Sequence, residues 1–159
     1  MRIRHIWLIA GLGGGTVLLI GLVMLHQYMR HAMLEASRPM TLKVLCTALC
    51  CYADENGGVF PRENGLDGLR RLVDARILTD PRYFTCSTAY PAASSIVAMG
   101  DNNVAYEYVG GMNRASDASG IIVYEKPDAF EHGIYGAFVD GRVRELTDDD
   151  VRRLPGNRQ

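Results

Sequence analysis

The chain opens with an uncharged apolar run, IWLIAGLGGGTVLLIGLVML, which reaches from Ile6 to Leu25. A helix of this length rises by about 30 Å, which is the thickness of the hydrocarbon core of a bilayer. In lipid the backbone polar groups must find partners within the segment itself, so a helix is the form open to such a run. The run therefore predicts one transmembrane helix over residues 6–25.

Two features favour a retained, single-pass anchor with its N-terminus inside. The run is longer than the roughly 7–15 residues of a signal-peptide core, and no A-x-A cleavage pattern follows it. Arg2 and Arg4 precede the run, and the positive-inside rule places them in the cytoplasm. The predicted division is a cytoplasmic tail over residues 1–5, the span over 6–25 and an extracytoplasmic domain over 26–159. This topology predicts the inner (cytoplasmic) membrane, with the domain in the periplasm or at the cell exterior.

Gly11 and Gly15 form a G-x-x-x-G pair within the run. This spacing lets two membrane helices approach closely, so it predicts a homo-oligomer that forms through this face. The alternative is that the two glycines reflect only the general frequency of glycine in membrane helices.

Beyond the span, hydrophobic periodicity predicts two helices. The first is amphipathic and ends near Glu55, before Asn56, and its apolar stripe comprises Met29, Met33, Ala36, Met40, Val44, Leu45, Ala48, Leu49 and Tyr52. Pro39 predicts a kink or short break, and Ser37 is placed to cap a restarted helix. The second helix is predicted from Leu66 to about Ile77.

The period then changes from helical spacing to alternation, which is typical of strands. Five short strands are predicted, over Ser95–Met99, Val104–Val109, Gly120–Glu125, Ile134–Val139 and Arg142–Leu146. Asp140 and Gly141 lie between the last two and predict a type I′ hairpin turn, in which both residues have φ > 0. Thr147 and Asp150 have the spacing of a capping box for a short terminal helix. The predicted fold class is α+β, with a long N-terminal transmembrane-plus-amphipathic helix packed on a small antiparallel sheet.

Charge and motif content narrow the range of functions. The net charge is -1 and the pI is about 6.4, so no basic surface for nucleic acid is predicted. The sequence has no P-loop, dinucleotide fingerprint, H-E-x-x-H or G-x-S-x-G motif. No catalytic residue is therefore assigned, and the chain is predicted not to be an enzyme.

The cysteines are Cys46, Cys50, Cys51 and Cys86. Cys46 and Cys50 lie one helical turn apart, which is poor geometry for a bond between them, whereas Cys86 follows in a loop and could bridge to the helix. The alternatives are burial as small apolar residues and a thiol-redox role for Cys50, Cys51 or Cys86. A zinc site has less support, because C-x-x-x-C-C lacks the usual C-x-x-C spacing.

Four oxygen-bearing side chains in loops are candidate calcium ligands, namely Asp101, Asn103, Asp117 and Asp128. The alternative is that they form turns by bonding to their own backbone. No EF-hand spacing is present, and no other cofactor is predicted.

Three stretches resemble the type II secretion pseudopilins and related type IV pilin-like proteins that end in an Asp-Gly hairpin. They are LKVLCTALCCYADENGGVFP (Leu42–Pro61), YFTCS (Tyr83–Ser87) and YEKPDAFEHGIYGAFVDGRVREL (Tyr124–Leu146). The resemblance implies a pilin-like fold, and partners that are the membrane and other membrane or pilin-like proteins. His132 matches a recurring histidine of that family, and as a lone histidine without a nucleophile partner it is predicted to be structural. Some secretion pseudopilins hold a calcium ion in a loop, so the resemblance favours the calcium candidates.

The N-terminus departs from the pattern of that family. A prepilin is cut after a glycine, and the fifth residue of the mature chain is a glutamate. Here Gly15 precedes Thr16, and the fifth residue after that glycine is Ile20. The sequence thus predicts an unprocessed anchor that begins at or next to Met1.

The functional prediction is a membrane-anchored, pseudopilin-like structural or assembly component of a type II secretion-like system, with a role in protein secretion. The alternative is a membrane-tethered extracytoplasmic module that binds a glycan, a peptide or an ion.

Overall fold

The first and longest element is helix α1, which spans Ile3–Glu55. The computed structural model describes residues 3–85, 89–130 and 132–155, with side chains described from residue 19 onward except those at 31 and 34. By contact density the chain divides into two compact units, Met1–Ala36 and Ser37–Gln159. The backbone of the predicted span belongs to α1, but the side chains up to residue 18 lie outside those described. The Gly11–Gly15 contact therefore stays a prediction.

After α1 the chain forms helix α2 (Gly65–Asp74), two 3-10 turns (Pro81–Phe84 and Asp101–Asn103), four strands and helix α3. The strands are β1 (Tyr106–Tyr108), β2 (Ile121–Glu125), β3 (Tyr135–Phe138) and β4 (Val143–Glu145), and α3 is Asp148–Arg153. The strands form one antiparallel sheet in the order β1-β2-β3-β4. This confirms the predicted α+β class, with a long helix and a small antiparallel sheet.

The main core lies between α1, α2 and one face of the sheet. Helix α1 contributes a buried row that includes Leu42, Leu45, Cys46, Leu49 and Ala53. Helix α2 approaches β1 closely at Gly68, where an added Cβ would lie 2.3 Å from the ring of Tyr108. A smaller cluster that includes Tyr124, Phe138, Leu146 and Leu154 covers the other side of the sheet near α3.

The predicted apolar stripe of α1 is only partly right. Leu45, Ala48 and Leu49 are buried as expected. Met40 is 69% exposed, whereas Leu42, which the stripe omitted, is completely buried. The difference arises because the long run of apolar residues fits several faces of a helix, and only the position of the sheet selects one of them.

The predicted break near Pro39 is wrong, because α1 continues through this residue without a restart, whereas the alternative of a kink stays a prediction. Proline removes one backbone N–H donor, and a helix that is packed along several turns can still retain a proline. The hydroxyl of Thr41 donates to the Ser37 carbonyl at 3.2 Å, so Ser37 acts within the helix and not as a cap.

The predicted strand over Ser95–Met99 is also wrong. These residues form a turn, in which Ser95 accepts hydrogen bonds from the Ala98 amide through its carbonyl at 3.1 Å and its hydroxyl at 3.3 Å. Val97 is 92% exposed, so the apolar residues in this segment do not line a sheet face. The other four strand predictions are confirmed, with ends that differ by at most two residues.

Helix α2 is confirmed but ends at Asp74, three residues before the predicted end at Ile77. Arg76 has φ = 58°, in the left-handed region, and this terminates the helix. The capping box of α3 is confirmed, since the Thr147 side chain accepts from the Asp150 amide and the Asp150 side chain accepts from the Thr147 amide.

The hairpin at Asp140–Gly141 is confirmed, but its turn is not type I′. Gly141 has φ = 84°, whereas the φ of Asp140 is not positive. The Gly141 amide donates to the Phe138 carbonyl at 2.8 Å, and the Phe138 amide donates to the Arg142 carbonyl at 2.9 Å. These bonds enclose a three-residue loop, Val139 to Gly141, of the kind in which a glycine bulge follows a type I turn.

Candidate functional site

The most unusual surface of the molecule is the exposed apolar stretch of α1. Every residue from 19 to 30 is exposed. Leu19, Ile20, Leu22, Val23, Met24 and Leu25 are each 50–64% exposed. Because these residues follow one another, they cover all sides of the helix and not one stripe. A helix that is apolar on every side needs lipid or other helices around it.

Within the part of the chain that the structure describes, no helix combines the length and the apolar character that a membrane crossing requires. The predicted span begins at Ile6, and its side chains up to residue 18 lie outside those described.

At the start of the second unit, α1 is joined to the sheet by a buried ion pair that the sequence analysis missed. The Arg38 Nη2 atom lies 2.7 Å from Oε2 of Glu125, and Nε donates to Oε1 at 3.0 Å. The two side chains are 2% and 0% exposed. The fork geometry of the guanidinium matches a carboxylate in both position and charge.

The remaining donors and acceptors of this pair are also satisfied. Arg38 donates to the backbone carbonyls of His132 at 2.8 Å and of Gly133 at 3.0 Å, and Glu125 accepts from the Tyr135 amide at 2.7 Å. The guanidinium carbon lies 4.2 Å from the ring centre of Phe130 and 5.2 Å from that of Tyr135. Buried charges are tolerated when they are paired and fully hydrogen-bonded, as here.

A signal for this pair was present in the sequence. The segment IIVYE places a glutamate at the end of an otherwise apolar strand, and an acid at such a position requires a cationic partner. The backbone carbonyl of His132 serves this pair, while its side chain is exposed, so a structural role for the imidazole stays a prediction.

The cysteine candidates on α1 differ sharply in environment. Cys46 is buried, Cys50 is half-buried and Cys51 is exposed, and all three are free thiols. Cys86 lies outside the described residues, so a bridge from it to α1 stays a prediction.

The four calcium candidates each have a local role. Asp117 accepts from the Ser119 amide at 2.9 Å, Asp128 accepts from the Tyr90 hydroxyl at 2.7 Å, and Asn103 accepts from the Gly100 amide at 3.2 Å. Asp101 begins a 3-10 turn, and its carbonyl accepts from Lys126 at 3.3 Å. Among the described residues, no three His, Cys, Asp or Glu side chains form a group that could hold a metal ion. The calcium site stays a prediction.

A cleft of about 440 Å³ opens beside the first turn of α2. Its lining includes Asn64, Glu107, Tyr124, Lys126 and Pro155. The Glu107 carboxylate is half-buried, and burial raises its pKa, while the positive charge of Lys126 opposes that rise. No hydrogen bond joins this carboxylate to any residue within the described ranges. The cleft thus offers one carboxylate and one ammonium group to a small ligand.

No protein-family model, curated protein or solved structure matches the chain in sequence or fold comparisons.

Proposed function

We propose that the chain is a membrane-anchored, pseudopilin-like structural or assembly component that acts through contacts with other proteins. The observation that carries the proposal is the exposed apolar stretch of α1, from Leu19 to Leu25. Complete burial of a fully exposed leucine or valine side chain contributes roughly 1.5–3 kcal/mol, and the side chains of this stretch, which are 50–64% exposed, contribute a corresponding part of it. A run of such residues on all sides of one helix is therefore strongly favoured to lie in lipid or among partner helices.

The order of elements supports the same proposal. One helix carries the apolar stretch, and its continuation contributes to the core of an α+β domain whose last two strands meet at the Asp140–Gly141 hairpin. This is the layout implied by the resemblance of the Leu42–Pro61 and Tyr124–Leu146 stretches to pseudopilins. In such a layout the helix provides attachment, and the surface of the domain provides contacts.

Extraction of native membranes with alkaline carbonate tests the anchor. We expect the wild-type chain to remain in the pellet, and the double variant Leu22→Arg, Val23→Arg to be released, because two charges in the apolar stretch oppose insertion. The control is Met40→Arg, which places a charge on an exposed residue of the second unit, outside the apolar stretch. This variant should stay in the pellet. Release of the wild-type chain would contradict the anchor.

Crosslinking in intact membranes, followed by mass identification of the partners, tests the assembly role. Pilin-like or secretion-machinery proteins are the expected partners. The mature N-terminus provides a second test, since we expect it at or next to Met1. A methylated Thr16 as the first residue would restore ordinary pilin processing and contradict the unprocessed anchor.

The cleft beside α2 favours a second candidate function, that of a tethered binding module. Its carboxylate and ammonium suit a peptide or another small zwitterionic ligand. The Glu107→Gln variant distinguishes the two functions. In a binding module this change should abolish ligand capture. In an assembly component it should leave the crosslinked partners unchanged.

A further inference from the structure

The cleft beside α2 contains a carboxylate that has no partner among the described residues. Glu107 lies in β1, is half-buried and lines the cleft. Within the described ranges, no residue donates a hydrogen bond to its carboxylate or forms an ion pair with it. A carboxylate that is partly removed from water is stabilised by a cation or a hydrogen-bond donor. Glu107 therefore leaves the position of a cationic donor open in the cleft.

The start of α2 leaves room beside this carboxylate. Gly65 is the first residue of α2 and has φ = 60°. A Cβ on Gly65 would lie 3.1 Å from Oε1 of Glu107, which is closer than an ordinary van der Waals contact. A side chain at this position would therefore press on the carboxylate. Glycine permits both the backbone conformation and the space around Oε1.

The ammonium group in the same cleft already has partners in the protein. Nζ of Lys126 donates to the Asp101 carbonyl oxygen at 3.3 Å. It also lies 4.9 Å from the ring centre of Tyr90, within the range of a cation–π contact. Because these contacts direct Lys126 towards Asp101 and Tyr90, it does not neutralise Glu107 by direct pairing.

Asn64 adds a hydrogen-bond donor to the cleft. Its side-chain oxygen accepts from the Gly110 amide at 2.8 Å, so its amide nitrogen is the end left to donate. The rest of the lining is largely apolar and includes Tyr108, Val109, Tyr124, Pro127 and Pro155. The cleft thus combines an acceptor for a cation, a donor for a carbonyl and an apolar surface. The amino terminus of a peptide presents an ammonium group, a carbonyl and a side chain around a single carbon.

We propose that this cleft binds the amino terminus of a peptide, with its ammonium group on Glu107, its first carbonyl on Asn64 and its first side chain on the apolar lining. The proposal rests on the second candidate function, that of a tethered binding module, and names the end of the ligand that the module recognises. The carboxylate of the ligand is not required, because Lys126 already has its contacts within the protein.

Three forms of one tripeptide test which group is recognised. Leu-Gly-Gly has both charged ends, its C-terminal amide lacks the carboxylate, and its N-acetyl form lacks the ammonium group. Each is titrated into the full-length protein in mild detergent, and NMR shifts of backbone amides around the cleft give the dissociation constants. We expect the free tripeptide and its amide to bind similarly. The acetylated form should bind about tenfold more weakly or worse, because it loses a hydrogen bond between charged groups.

Two variants assign the effect to one carboxylate. Glu107→Gln keeps the shape of the side chain and removes its charge, so it should weaken binding of the free tripeptide by about tenfold. It should leave the weak binding of the acetylated form unchanged. Asp67→Asn is the matched control, because it removes a 74% exposed carboxylate in the first turn of α2 that does not line the cleft. This variant should bind all three forms as the wild-type protein does.

The outcomes separate this proposal from the function on which it rests. Equal binding of the free and acetylated tripeptides, or loss of binding in the C-terminal amide, would overturn recognition of the amino terminus and leave a binding module that recognises another group. Equal weakening by Glu107→Gln and Asp67→Asn would overturn the role of Glu107. Failure of all three forms to bind the wild-type protein would contradict the peptide-binding module itself. The NMR spectrum of each variant reports whether it is folded, and the comparison of the three tripeptides needs only the wild-type protein.

Discussion

Arg38 and Glu125 form a pair in which loss of one partner leaves the other charge buried. We expect Arg38→Met to lower the free energy of unfolding by about 3–5 kcal/mol, because the buried Glu125 carboxylate would lose its cation. The measurement is urea denaturation of the full-length chain in mild detergent, followed by circular dichroism.

Arg82→Gln provides the matched control for this prediction. Arg82 also pairs with a carboxylate, that of Asp80, but its side chain is 81% exposed. Solvent screens such pairs, so the denaturation midpoint should hardly move. A midpoint for Arg38→Met equal to that of Arg82→Gln would show that the buried pair contributes nothing.

Gly141 has φ = 84°, and no heavy atom beyond its two chain neighbours lies within 4 Å of the position that a Cβ would occupy. The cost of a side chain there is therefore backbone strain alone. Gly141→Val should lower stability by about 1–2 kcal/mol, and Gly141→Asn by less, because asparagine tolerates the left-handed region. Thermal melts of the three proteins test this order, and an equal loss for both variants would point to a lost contact instead.

At the scale of the helix, Leu49 and Met40 test which face of α1 is structural. Leu49 is completely buried, so Leu49→Ala should cost about 2–5 kcal/mol through lost contacts and a cavity. Met40 is 69% exposed, so Met40→Ala should cost about 0.5 kcal/mol or less. Equal losses in urea denaturation would restore the predicted stripe through Met40.

Helix α3 should make stability sensitive to acid. Arg144, followed by the Thr147 side chain and backbone, holds the pKa of Asp150 well below its usual range. A carboxyl with a lowered pKa stabilises the fold above its unfolded value of about 3.9, and this contribution is lost as pH falls through the lower folded value. Melting temperatures from pH 6 to pH 2 should therefore fall less steeply in Asp150→Asn. Asp149→Asn is the control, because the Asp149 side chain is 78% exposed and should change the slope little.

Local chemistry explains which elements could be predicted from the sequence. The end of α1, the capping box at Thr147 and the position of the hairpin at Gly141 depend on residues close together in the chain, and each was predicted in place, although the type of turn was not. The Arg38–Glu125 pair joins residues 87 positions apart. Such pairings follow from how α1 packs on the sheet, which periodicity alone does not define.

At the scale of the whole molecule, the division at Ala36/Ser37 makes the second unit a candidate for independent folding. A fragment from Ser37 to Gln159 should melt cooperatively in the absence of detergent, because this unit contains the main core and the ion pair. A fragment that begins at Met40 lacks Arg38 and should melt at a lower temperature. Identical melting of the two fragments would contradict the role of Arg38, and a non-cooperative melt of the longer one would contradict independent folding.

The position of Arg38 also gives the molecule a defined mechanical connection. When α1 is pulled from its N-terminal side, the Arg38 side chain transmits the force to Glu125 and so to β2. Strand β2 is hydrogen-bonded to a strand on each side. A load shared across neighbouring strands is resisted by several hydrogen bonds at once. Under tension applied to α1, rupture should therefore begin at the Arg38–Glu125 contact, before the apolar contacts of the helix with the core are lost.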